Sequence, residues 1–266
     1  MNKNINSLDN IKIKQWSKLK SSRHRNESGQ FLIDGVREII EAQKAGIIIE
    51  QFIICPELFI GKNILADFPE NKTVLTAAKV FNKLAYKENP DGYLAIAKTP
   101  DKTIGDIKIT DKLLIILLET VEKPGNIGAI IRTAYAAGVN AIMLDNCPTD
   151  IYNPNIIRAS EGKVFSVPVI KSNKEDVKKW LIKNKIKVFA AVTEASKEYW
   201  QADFSGRTAI VLGSEADGLS PFWREVADQN IIIPMKNGID SLNVSVSAAL
   251  LMFEAVRQRT KTNTRI

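Results

Sequence analysis

The stretch "LLIILLETVEKPGNIGAIIRTAYAAG", residues 113–138, changes its hydrophobic period halfway along. Leu113 to Leu118 form a continuous apolar run rather than an alternation, as expected for a strand covered on both faces. From Asn126 the spacing turns helical. Ile127, Ile130, Ile131 and Ala134 make one stripe, Asn126 is placed to cap it, and Gly138 is placed to end it in the left-handed conformation. A strand that passes through a glycine-bearing turn into a helix is the building unit of an open α/β sheet.

That unit recurs downstream. Further strands are predicted at 141–145, 164–170, 187–193, 208–213 and 230–234, alternating with helices at 127–137, 154–161, 174–184, 220–228 and 244–259. Residues 113–266 therefore read as one α/β domain with a parallel sheet. Upstream, 1–97 read as a smaller α/β domain. "FLIDGVREIIEAQKAG" carries Leu32, Val36, Ile39 and Ile40 at helical spacing with Gly46 as the stop. "IIIEQFIICPELF" supplies a strand, "KTVLTAAKVFNKLA" a strand and a helix with Thr76 as cap, and "GYLAIAK" another strand. Residues 98–112, "KTPDKTIGDIKITDK", are charged, hold Pro and Gly, lack an apolar period, and read as the linker.

The chain has 266 residues, a net charge of +7 and a pI near 9.2, which points to an anionic partner, nucleic acid first. It has two cysteines far apart and one histidine, His24, too few for a zinc cluster, a disulfide framework or a histidine-dependent triad. No metal is expected. No apolar run approaches the roughly 18 residues of a membrane span, and no export signal is evident, so the expectation is a cytoplasmic protein without a membrane partner. Near the start, "KLKSSRHRNESGQF" gathers Lys18, Lys20, Arg23 and Arg25 in what reads as an exposed basic loop, suited to phosphate contact or simply solvated.

Three turns follow predicted strand ends, where open parallel sheets place ligands. None is a phosphate loop. In the first, Arg132 lies one helical turn beyond Gly128, whose missing side chain would let the guanidinium reach a ligand; the alternative is an amphipathic helix with one solvated arginine. The second, "IVLGSEADGLSPFWREVAD" (210–228), ends a strand at Gly213, carries Glu215 and Asp217, and has Ser220 and Pro221 as helix-start residues. The third, "IIIPMKNGIDSLNVSVSAALLMFEAVRQR" (231–259), alternates like a strand over 241–247. It also places Val246, Ala249, Leu250, Phe253 and Val256 at helical spacing. Asn243 as N-cap decides for a helix beginning at about Val244.

In these three stretches the chain resembles the SpoU (TrmH-like) RNA 2'-O-ribose methyltransferases of the SPOUT superfamily. "NIGAIIRTA", "VLGSEADGLS" and "IPMKNGIDSLNVSVSAALLMFEAVRQR" stand in the order and spacing of that family's three motifs. "NPNIIRASEGKVFSVPV" (153–169) matches a further segment, and 1–97 more weakly resemble the ribosomal-protein-like RNA-binding domain found ahead of such catalytic domains. One departure is Ala216, where many members have glycine. The resemblance implies a SPOUT domain with a deep trefoil knot, S-adenosylmethionine held by Gly213, Ile233 and Leu242 with Met235 nearby, and a homodimer through the knot region and C-terminal helix. It implies Arg132, Asn126, Glu215, Ser241 and Asn243 at the catalytic site and RNA contact by Arg158, to which the basic stretch adds Arg23 and Arg25 as candidate RNA contacts. The expected substrate is ribosomal RNA, with transfer RNA or a non-catalytic role in ribosome assembly as alternatives.

Overall fold

A computed structural model describes residues 3–60, 68–236 and 238–261. The chain divides into two units, residues 1–101 with 150–166, and residues 102–149 with 167–266.

In the first unit, β1 (Lys3–Ile5), α1 (Ile11–Lys18), α2 (Ser22–Ser28), β2 (Gln30–Asp34), α3 (Val36–Lys44), β3 (Ile49–Ile54), β4 (Thr73–Thr76), α4 (Ala78–Leu84) and β5 (Tyr93–Lys98) follow one another. Their five strands form a mixed sheet in the order β1-β4-β3-β5-β2, with β5 antiparallel to both neighbours. The predicted helix over 32–40 is corrected at its start. Residues 30–34 form a strand, and Gly35, at φ 119°, turns the chain into α3. Thr76 ends β4 instead of capping α4, whose N-cap is Ala77.

The basic loop is corrected more sharply, because the segment folds into α1 and α2. Arg25 lies 3% exposed, donates from Nη1 to the carbonyls of Leu19 (2.7 Å) and Lys20 (3.0 Å), and pairs through Nε with the Asp150 carboxylate. A guanidinium so enclosed is a structural group and is withdrawn as an RNA contact.

The second unit holds β6 (Leu114–Glu119), α5 (Pro124–Ala137), β7 (Ala141–Asp145), β8 (Val169–Lys171), α7 (Lys174–Lys183), β9 (Lys187–Ala191), β10 (Thr208–Leu212), α8 (Pro221–Val226), β11 (Gln229–Ile231) and α9 (Val244–Lys261). Its six strands run in the order β11-β9-β10-β6-β7-β8, every pair parallel. All six residues of β6 are buried, which is why the five before Glu119 read as a continuous apolar run. Each such Leu or Ile contributes about 1.5–3 kcal/mol on burial. Gly138 closes α5 at φ 68°, as its position predicted. The strand-like alternation at 241–247 has no ladder behind it, and α9 begins at Val244. Val244, Ala248, Leu251, Met252 and Ala255 face inward, and α9 packs against α5 and β10.

One segment departs from the predicted division at 113. Residues 150–166, which lie in sequence between β7 and β8, pack with the first unit. α6 (Pro154–Ala159) and a single 3-10 turn at Lys163–Phe165 replace most of the strand expected at 164–170. Phe165 and Tyr152 stack on Phe31 with ring centroids 5.9 and 4.4 Å away. Lys163 pairs with Glu41 at 2.6 Å, and Arg37 with Glu161 at 3.2 Å.

Removing one partner of a buried ion pair leaves the other charge uncompensated, which costs about 3 kcal/mol. Asp150→Asn is accordingly expected to lower the unfolding free energy by that amount in equilibrium denaturation, and a loss below 1 kcal/mol would show Arg25 to be screened by solvent.

Candidate active site

The carboxyl ends of the parallel strands gather the polar groups of the second unit. α5 starts at Pro124, with Lys123 as an N-cap that offers no side-chain hydrogen bond. Asn126 thus falls inside the first turn and does not cap, correcting the expectation from its position. Its amide bridges instead. Asn126 Nδ2 donates to Glu215 Oε1, and Asn126 Oδ1 accepts from Asn243 Nδ2 at 3.2 Å. Asn243 is the predicted cap of α9, with its Oδ1 accepting from the Ser245 N–H (2.9 Å) and hydroxyl (2.6 Å). One hydrogen-bonded line therefore joins the start of α5, the loop after β10 and the start of α9, so the structure brings together one residue from each of the three sequence motifs.

Gly213 ends β10 in a place that no side chain fits. A Cβ there would lie 2.0 Å from the Gly218 carbonyl oxygen and 2.5 Å from the Leu219 nitrogen. The loop folds back this closely because the Gly218 N–H donates to the Ser214 carbonyl (3.1 Å) and Ser214 Oγ accepts from the Asp217 N–H (3.1 Å). Gly218 takes a φ of 66°, which a glycine adopts without strain. Ile233, Met235 and Leu242 are half-buried and Ser241 is exposed, along the segment leading into Asn243. Asn237, within this motif, lies outside the described residues. Arg132 is exposed on α5, six residues and so about 9 Å of helix axis beyond Asn126.

Two features escaped the sequence reading. Ile232 is held between Lys197 and Tyr199, accepting from the Tyr199 N–H and donating to the Lys197 carbonyl, both at 2.9 Å. This brings the loop after β9, with exposed Trp200, alongside the start of 232–243. Its only sequence signal is an aromatic pair in a polar loop. The second is a pair of buried acids at adjacent strand ends, Glu119 and Asp145, 6% and 4% exposed and in register across β6 and β7. Glu119 accepts from the Ser220 N–H (2.7 Å) and hydroxyl (2.5 Å), so Ser220 precedes α8 without capping it by its side chain. Asp145 accepts from Trp223 Nε1 at 2.8 Å. Burial raises the Asp145 carboxyl above its ordinary range, the Glu119 charge adds to this, and the indole hydrogen bond works against it. Burial likewise pushes the Cys147 thiol up to about 11, which leaves it protonated and unreactive near neutrality.

An all-parallel α/β sheet with a polar, loop-built site at its strand ends defines the class: an α/β protein that holds its ligand at the carboxyl edge of the sheet. Within that class the chain belongs to the SpoU rRNA methylase family, whose model matches residues 113–253, and residues 10–95 match the MRM3-like substrate binding domain. The chain is 28% identical to a 23S rRNA (guanosine(2553)-2'-O)-methyltransferase of Bacillus subtilis, over 94% of this chain and 98% of that protein. It is 29% identical to a 23S rRNA (uridine(2479)-2'-O)-methyltransferase of Streptomyces viridochromogenes, over 94% of this chain and 91% of the relative. The crystal structure of the SpoU methyltransferase AviRb from Streptomyces viridochromogenes, in complex with its cofactor AdoMet, superposes with a TM-score of 0.86 at 27% identity, over 94% of this chain and 98% of that one.

The residues present fit such a cofactor. Gly213 lets the loop return against its backbone, and the half-buried Ile233, Met235 and Leu242 offer aliphatic surface in the segment that Asn243 ties, through Asn126, to the same loop. A Gly213→Ala variant must displace Gly218 and Leu219, and with them the Glu215 loop. Its expected phenotype is a drop of several degrees in melting temperature together with at least a tenfold weaker calorimetric Kd for S-adenosylmethionine. An unchanged Kd would remove Gly213 from the cofactor site.

Proposed function

We propose that this chain transfers a methyl group from S-adenosylmethionine to a ribose 2'-hydroxyl of ribosomal RNA. The observation that carries the reading is the Asn126–Glu215–Asn243 line, which draws the three family motifs into one site. The two relatives named above support ribosomal RNA as the substrate, since each aligns along nearly all of this chain. They act on different nucleotides, a guanosine and a uridine.

When bound, the cofactor supplies an electrophilic methyl on a sulfonium, and the displacement needs the attacking oxygen in line with it. Positioning therefore carries much of the rate. Gly213, Ile233, Met235 and Leu242 hold the cofactor. Asn126, fixed at both ends of its amide, orients groups at the reacting edge, with Glu215, Ser241 and Asn243 supporting it. Arg132 binds an RNA phosphate and stabilises the negative charge developing on the 2'-oxygen, with loss of its proton to solvent assisted by that phosphate. A guanidinium with a pKa above about 12 is a poor base but a good planar partner for phosphate. Arg23 and Arg158 contact RNA from the first unit. Both are exposed, although Arg23 also pairs with Glu27 at 2.7 Å.

We read residues 1–97 as the RNA-binding domain, 98–112 as the linker, of which 102–112 pack with the second unit, and 113–266 as the catalytic domain, with 150–166 lent to the first unit. We also infer the knotted path that the family likeness implies, and cytoplasmic action on ribosomal RNA. Among the described residues, no helix is long and apolar enough to cross a membrane and no acid, cysteine or histidine cluster could hold a metal.

A homodimer through α9 is part of the proposal. Val246, Leu250 and Phe253, predicted as the helical stripe, are 47%, 38% and 50% exposed, and Tyr135 of α5 is 49% exposed. Phe253→Asp is expected to turn a dimer into a monomer by light scattering, and an unaltered mass would overturn this interface.

Incubation with radiolabelled S-adenosylmethionine and total RNA tests the activity. Label is expected at a single 2'-O position of 23S rRNA. Label in transfer RNA would reassign the substrate, and no label in any RNA, with the cofactor shown to bind, would reject the enzyme in favour of an assembly factor. For Arg132→Lys, at least a 100-fold fall in kcat/KM is expected. Near-full activity would exclude any role for the planar guanidinium.

A further inference from the structure

Between Gly213 and Ser220 the chain is held at its two ends and exposed in the middle. At the first end, β10 pairs with β6 as far as Leu212 and with β9 as far as Val211, and Gly213 is pressed against the returning loop. Glu215, Ala216 and Asp217 are exposed. The second end is fixed by Glu119. Both oxygens of this 6%-exposed carboxylate are occupied by one residue, Oε2 by the Ser220 N–H at 2.7 Å and Oε1 by the Ser220 hydroxyl at 2.5 Å. A buried carboxylate that accepts two donors from a single residue fixes that residue in direction as well as distance.

The rest of the arrangement serves the same end. Thr120 and Asn146, which follow Glu119 and Asp145, take φ of 52° and 49°. For residues other than glycine this conformation is uncommon, and here it turns the chain away immediately beyond each acid. The Thr120 N–H donates to the Asp145 carbonyl at 3.0 Å, which ties the two strand ends together. Asp145 then takes the Trp223 indole, one turn into α8, and Trp223 is fully buried. The start of α8 is thus docked on two neighbouring strand ends, and the side chain of Ser220 is spent on Glu119 rather than on its own helix.

We propose that Glu119 is a positioning residue for methyl transfer, gripping Ser220 so that the Gly213–Ser220 loop delivers Glu215 to Asn126. The proposal rests on the methyltransferase reading for its kinetic consequence, and on the hydrogen bonds alone for its structural one. Glu119 itself touches neither substrate nor cofactor. Loosening Ser220 lets Glu215 drift from the Asn126 amide, which lowers the rate in the bound complex while leaving RNA capture by the first unit intact.

The test uses the full chain. Ser220→Ala removes one of the two bonds to Glu119, and Ser220→Thr keeps the hydroxyl. Ser220→Ala is expected to lower kcat about tenfold with the KM for RNA within twofold, and Ser220→Thr to restore most of the rate. Because the effect passes through Glu215, adding Ser220→Ala to Glu215→Gln should cost less than a further twofold. Hydrogen exchange supplies a readout independent of activity, with the amides of 214–218 exchanging at least tenfold faster in Ser220→Ala than in the wild type. Unchanged exchange, an unchanged kcat, or multiplicative losses in the double variant would each overturn the proposal. Wild-type protein that methylates no RNA, with faster loop exchange in Ser220→Ala, would refute the enzyme reading and leave the grip on Ser220 standing. Glu119→Ala need not fold for these outcomes to decide the matter.

Discussion

The second unit depends on one constraint, that a wholly parallel sheet must be covered on both faces. β6 satisfies it with six buried residues, and β10 with five. Helices therefore occupy both faces, and polar groups can collect only where the strands stop. Glu119 and Asp145 are the last residues of their strands, Gly213 follows the end of β10, and Asn126 opens the helix after β6. The site forms at this edge because the rest of the sheet has no place for charge.

The polar line at this edge is not what folds the chain. A single hydrogen bond contributes about 1 kcal/mol net, and those among Asn126, Glu215 and Asn243 lie near solvent. Their importance is geometric. Each of the three side chains comes from a different segment, the first turn of α5, the loop after β10 and the cap of α9, and a shared amide lets none of them move without the others. The buried acids behind them work differently. Glu119 is enclosed, so it must be satisfied, and its satisfaction dictates where Ser220 stands.

Local chemistry was legible in the sequence, and distant partners were not. Asn243 caps α9 as its residue type predicts, because capping involves only its own helix. The same reasoning fails at Asn126, since Pro124 starts α5 two residues earlier and the freed amide finds partners 89 and 117 positions away. Arg25 looks like a solvated cation until Asp150, 125 residues on, encloses it. Phe165 sits in a run that reads as a strand, but its stacking against Phe31 and Tyr152 takes it into the other unit. For the SpoU motifs, local pattern was enough to single out the strand-end turns whose Asn126, Glu215 and Asn243 meet in the structure. It did not reveal the anchoring of Ile232 by Lys197 and Tyr199, because backbone pairing leaves no trace in residue type.

α9 shows where periodicity alone stops. Both of its faces are apolar: Val244, Ala248, Leu251, Met252 and Ala255 on one, and Val246, Leu250 and Phe253 on the other. A helical period identifies a stripe but not which stripe meets the core when two compete. The spacing picked the second, and the chain buries the first. A helix apolar on both sides of its axis is ordinarily enclosed on both. With one face already against α5 and β10, the other is the surface assigned to the proposed homodimer, which a second copy covers about a two-fold axis. The expectation of a dimer comes from the family resemblance, and the exposed stripe of Val246, Leu250 and Phe253 is the surface that the proposed interface uses.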